Sequence, residues 1–129
     1  MSFAHMTLPT RRVGETAAFL EDTFGYGRNP VPANSPVEVV WLDIGLGQEL
    51  HVMFVEGYEV SPFEAEFGRH VALLYPLEEF PALKARLAAR GAVFVDALRS
   101  TPFERFFFRE PVNGYFFEVI DRDRRPLAR

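Results

Sequence analysis

The chain's only three histidines, together with one glutamate, recur at a nearly fixed interval. His70 follows His5 by 65 positions, and Glu118 follows His51 by 67. Each lies in a short apolar run: Phe3 to Leu8, Leu50 to Val55, His70 to Tyr75 and Tyr115 to Ile120. Two ligand-type side chains that return at almost one offset imply a module written twice. A strand turns alternate side chains to opposite faces, so one polar residue in such a run faces a cavity while its neighbours pack the core.

The order of elements repeats as well. A strand near Phe3 to Leu8 is expected to end at Pro9. A helix then carries Ala17, Ala18, Phe19, Leu20 and Phe24 on one face and Glu15, Glu21 and Asp22 on the other, with Gly25 and Gly27 as its stop. The stretch with Pro30, Pro32 and Pro36 reads as an edge strand or loop. Val37 to Ile44 and Glu49 to Val55 then flank Gly45-Leu46-Gly47-Gln48, a connection of hairpin length. After a Glu-, Gly- and Pro-rich link from Glu56 to Gly68, a second round begins. His70 to Tyr75 is a strand, and Leu77 to Arg90 is a helix with Phe80, Leu83, Leu87 and Ala88 inward, Pro81 in its first turn and Gly91 past its end. Ala92 to Val95, Arg105 to Phe108 and Tyr115 to Ile120 follow as strands, the last two joined through Asn113-Gly114, a strong hairpin signal.

Composition narrows the function classes. A net charge of −4, with scattered arginines and Lys84 as the sole lysine, argues against nucleic acid. No run approaches the roughly 18 apolar residues of a membrane span, and the start lacks the regions of a signal peptide, so the expected location is cytoplasmic, without a membrane partner. The absence of cysteine leaves nitrogen and oxygen as the only protein ligands for a metal.

Four segments carry a family resemblance: Phe3-Ala4-His5-Met6, Phe19-Leu20 through Phe24-Gly25, Gly68-Arg69-His70-Val71-Ala72, and above all Phe106 to Val119 with its Glu110-Pro111 and Asn113-Gly114 turn. In these the chain resembles the vicinal oxygen chelate superfamily, the glyoxalase, bleomycin-resistance and ring-cleaving dioxygenase group. The resemblance implies an α+β fold of two βαβββ modules, residues 1–58 and 66–122 of one structural domain, whose curled mixed sheets form a metal-binding cup. It marks His5, His70 and Glu118 as ligands of one divalent ion per site (Fe, Mn, Ni, Co or Zn) and His51 as occupant of the fourth position, as ligand or as catalytic base. Relatives of the glyoxalase I type carry Glu or Gln at that position, so His51 counts against lactoylglutathione lyase activity.

Other residues complete the expected site. Arg105 is the candidate to grip an anionic substrate, with a salt bridge to Glu104 or Glu118 as the alternative. Alternation puts Phe116 on the face of Glu118 and Met53 on that of His51, and Trp41 joins them as an apolar wall. Most of the Phe106 to Phe108 run is core. Gly57 to Phe67 reads as a linker, with a lid over the cup as the alternative. The expected function is metal-dependent lyase, isomerase, epimerase, dioxygenase or epoxide-addition chemistry on a small oxygen-bearing molecule. The competing reading is a metal-free protein that sequesters an apolar or antibiotic-like molecule. One module leaves a sheet edge open, and the resemblance implies a homodimer whose composite sites close it.

Overall fold

The computed structural model, which describes residues 2–127, contains the strand, helix and three-strand order twice. Contacts divide the chain into two compact units, Met1–Glu59 and Val60–Arg129. In the first, strand β1 (His5–Thr10) leads to helix α1 (Val13–Phe24), and strands β2 (Gly27–Asn29), β3 (Val39–Gly45) and β4 (Gln48–Phe54) complete a four-stranded sheet of order β1-β4-β3-β2. In the second, strand β5 (Val71–Tyr75), a 3₁₀ turn (Leu77–Glu79), helix α2 (Phe80–Ala89) and strands β6 (Val93–Val95), β7 (Arg105–Arg109) and β8 (Phe116–Asp121) give the order β5-β8-β7-β6. Each sheet is mixed, with its first and last strands parallel and the remaining pairs antiparallel. The α+β expectation is met.

The expected boundaries shift where tertiary context overrides local chemistry. Strand β1 runs through Pro9 to Thr10 instead of stopping, because it is an edge strand and a missing N–H there breaks no ladder. Gly25 alone ends α1, at φ 78° with its N–H on the Glu21 carbonyl at 2.9 Å, and Gly27 already begins β2. The second helical segment opens as a 3₁₀ turn and becomes α-helical at Phe80. Its inward face is Phe80, Leu83 and Leu87, whereas Ala88 is exposed.

Both cores follow from alternation. Helix α1 packs on β3 and β4, and its Val13, Ala17, Leu20 and Phe24 are buried together with Leu8, Leu42, Leu50 and Val52 of the sheet. In the second unit Phe80 meets Phe106 edge-on at 5.2 Å, and Leu73, Phe106, Phe108, Phe117 and Val119 fill the helix side. Burying each large apolar side chain contributes about 1.5 to 3 kcal/mol. The β7–β8 turn is organised by Glu110, whose buried carboxylate accepts the N–H groups of Val112 (2.7 Å), Asn113 (2.8 Å) and Tyr115 (3.1 Å). Among the described residues no helix is long and apolar enough to cross a membrane.

The segment before β5 is tied to the second sheet. Buried Glu64 accepts the Phe116 N–H at 2.8 Å and an Arg69 guanidinium N–H at 2.8 Å, and Arg109 donates to the Glu64 carbonyl at 2.9 Å. Gly68 is required in that turn, since a Cβ there would run into the Phe63 carbonyl.

Candidate metal centre

The pairing registers place the recurrent residues at equivalent points of the two sheets. Thr7 lies opposite His51 and Ala72 opposite Glu118, with His5 and His70 each two positions earlier in the chain. Across the antiparallel neighbour, Trp41 lies opposite His51 and Phe107 opposite Glu118. By alternation all of these side chains leave the sheet on the face away from its helix.

In the second unit the equivalence yields an imidazole and a carboxylate. His70 Nδ1 lies 3.0 Å from the Ala65 carbonyl, which only accepts, so Nδ1 carries the proton. Its Nε2 then faces Glu118 Oε1 at 3.2 Å. With a neutral ring two electron-pair acceptors confront each other, and the contact is favourable only when a cation, a proton or a metal ion, stands between them. The donor set therefore fits a divalent ion. Phe107 and Phe116 meet the His70 ring edge-on at 5.8 and 6.1 Å and stack on each other at 5.1 Å, fixing its orientation.

Arg105 sits differently from a substrate grip. Its Nη1 donates to Glu118 Oε2 at 3.0 Å, its Nη2 donates to Glu66 Oε2 at 3.1 Å and to the Arg99 carbonyl, and its guanidinium lies 4.7 Å over the Phe107 ring. Only 4% of the side chain is exposed. The ion pair with Glu118 is the alternative that the sequence left open. Glu66, absent from the sequence-derived set, also accepts the N–H groups of Leu98 (2.7 Å) and Arg99 (3.1 Å). Burial pushes the Glu66 carboxyl up, but the hydrogen bonds from Leu98, Arg105 and Arg99 outweigh it, and its pKa falls below the ordinary 4.5.

The first unit gathers His5, His51 and Trp41 as a stack of three rings. His51 lies 3.8 Å from His5 with planes 9° apart and 4.4 Å from Trp41 with planes 5° apart. Buried His51 also meets a residue the sequence reading passed over: its Nε2 lies 2.9 Å from Glu49 Oε1, while Asn29 donates to Glu49 Oε2 at 2.6 Å. Hydrogen bonds from His51 and then Asn29 hold the Glu49 carboxyl below 4.5, against a smaller push from burial. An ionised Glu49 accepts, so His51 Nε2 carries a proton, and in the neutral ring Nδ1 is the nitrogen with the lone pair. Met53 stands two residues beyond His51 on the same face, half-buried opposite Val39. Glu49 was legible in principle, because the Glu49-x-His51 spacing puts both side chains on one face of a strand. Among the described residues no three His, Asp or Glu side chains converge as a ready ligand group. Parallel stacking accounts for this in the first unit, since in-plane lone pairs of parallel rings do not meet at one ion.

Residues 2–119 match the model of the Glyoxalase/Bleomycin resistance protein/Dioxygenase superfamily. The chain belongs to this superfamily. Among solved structures, a putative glyoxalase family protein from Bacillus anthracis is similar at 19% identity and TM-score 0.74, covering 94% of each chain. The fosfomycin resistance protein FosX from Listeria monocytogenes, in a monoclinic form, is similar at 18% identity and TM-score 0.72, covering 92% of this chain and 89% of that one. A mutant of that FosX complexed with Mn(II) and 1S,2S-dihydroxypropylphosphonic acid aligns at 18% identity and TM-score 0.75, over 93% and 91% of the two chains. No curated protein matches the chain.

Proposed function

We propose that this superfamily member is a metal-dependent enzyme that binds a small substrate through two neighbouring oxygens. The observation that carries the reading is the pair His70 Nε2 and Glu118 Oε1, held 3.2 Å apart with the other His70 nitrogen already committed to Ala65. His70, Glu118 and His5 are the proposed ligands, and the FosX relative with Mn(II) supports a divalent ion. Such an ion supplies Lewis acidity to the substrate oxygens. His51 is the proposed base: Glu49 holds its Nε2–H, Trp41 and His5 fix its plane, and Nδ1 takes a proton from the substrate. Trp41, Met53 and Phe116 are the proposed apolar wall.

The working unit proposed is a homodimer with two composite sites, His5 and His51 from one subunit and His70 and Glu118 from the other. Metal analysis of protein purified without added metal, followed by Mn(II) titration, tests the ligand reading. Stoichiometric binding that His70→Ala and Glu118→Gln abolish is expected, and retained affinity in both variants overturns it. Mixing His5→Ala with Glu118→Gln protein tests the dimer, since subunit exchange restores one intact site per heterodimer. A monomeric mass by sedimentation at micromolar concentration defeats it.

The parallel stack of His5, His51 and Trp41 favours a second reading, a metal-free protein that binds an apolar or antibiotic-like molecule beside these rings. It predicts no stoichiometric metal, and quenching of the fluorescence of Trp41, the sole tryptophan, by an aromatic ligand.

A further inference from the structure

Glu118 has two oxygens, and the structure treats them differently. Oε1 faces His70 Nε2 at 3.2 Å, while Oε2 accepts Arg105 Nη1 at 3.0 Å. Arg105 cannot easily leave. Its Nη2 is held by Glu66 Oε2 at 3.1 Å and by the Arg99 carbonyl, and its plane rests on Phe107. Glu66 is anchored in turn by the Leu98 and Arg99 N–H groups, so the support reaches from the segment before β5 to the β6–β7 connection. The charges are arranged to the same end. Arg105 alone would cancel Glu118, but Glu66 supplies a second carboxylate, and with a neutral His70 the cluster keeps one net negative charge for a cation.

We propose that Arg105 and Glu66 are positioning residues that make Glu118 a one-oxygen ligand. Arg105 occupies Oε2, Glu66 holds Arg105 in place and offsets its charge, and the coordination position that Oε2 would otherwise fill stays open for the second substrate oxygen. This rests on the metal reading above.

The test uses the full chain loaded with Mn(II). Titration gives the affinity, and broadening of the Mn(II) paramagnetic resonance lines in ¹⁷O-enriched water gives the number of water ligands. In Arg105→Gln the freed Oε2 joins the ion, so one water ligand is lost relative to the parent. In Glu66→Gln the cluster loses its net negative charge, and Mn(II) affinity falls about tenfold. If the parent protein binds no Mn(II), the metal reading itself fails. If the parent binds and both variants keep its water count and affinity, the clamp alone is overturned. Should Arg105→Gln not fold by circular dichroism, Glu66→Gln decides: unchanged affinity refutes the proposal and weakened affinity upholds it.

Discussion

The two units share a strand order and a pairing register yet use the same positions in different ways. Opposite Trp41, β4 carries His51, and opposite Phe107, β8 carries Glu118. In the second unit the imidazole comes from His70, the residue just before β5, and the carboxylate from β8, and the two face each other. In the first they are Glu49 and His51, two apart on β4, while the neighbouring strand contributes a second ring that stacks. One backbone plan thus carries an imidazole–carboxylate pair in one place and a stacked, carboxylate-bound imidazole in the other. The carboxylate sits on the closing strand in both units, and the difference lies in the imidazole that meets it, from the same strand in the first unit and from the residue before β5 in the second.

The largest expected effect separates those roles directly. Glu118→Gln should weaken Mn(II) binding about a hundredfold or more, whereas His51→Ala at the equivalent position should keep the metal and lose turnover. Equal loss of metal in both, read by titration, would erase the proposed division of labour.

Next is a packing test at equivalent cross-strand sites. Phe107 is fully buried, with His70, Phe116 and Arg105 against its ring, and Phe107→Ala should cost about 3 to 5 kcal/mol by urea unfolding. Trp41, half-buried, should cost less on the same substitution, and a reversed order would contradict the burial contrast.

The hairpins differ too: Glu110 accepts three N–H groups in the β7–β8 turn, whereas in the β3–β4 turn Asp43 accepts one, from Gly45. Glu110→Ala strands three N–H groups and should cost about 2 kcal/mol. Gly47→Ala, at φ 74°, should cost only about 1 kcal/mol.

The smallest effect concerns acid. The folded pKa of Glu49 lies below its ordinary 4.5, so the stability from its ionised form is complete above that value and is lost as pH falls through the lowered one. Glu49→Gln should therefore flatten the acid limb of the stability curve. A limb unchanged from the parent would mean that His51 and Asn29 do not favour the charged carboxyl.

The repeated interval, the helix faces and the Asn113-Gly114 turn were enough to read the α+β duplication, because side-chain period and turn chemistry are local. Strand β1 passing through Pro9 was not legible, since whether a missing N–H matters depends on which strand lies beside it. Glu49 lay one alternation from His51, but its partner Asn29 is 20 residues away, on a strand of only three residues.

The residues alone determined the two modules, the ring and carboxylate types available and the strands that carry them. Tertiary structure decided what each touches. Arg105 reads in the sequence as a substrate grip or as an ion-pair partner of Glu104 or Glu118, and only the fold brings Glu66, 39 residues away in a segment without periodicity, against it. His5 and His51 recur as ligand-type residues in the sequence, and only the fold lays their rings parallel. Strand periodicity sets the face from which a side chain leaves, whereas ring orientation and ion pairing arise only when distant segments meet and each buried charge must find a partner.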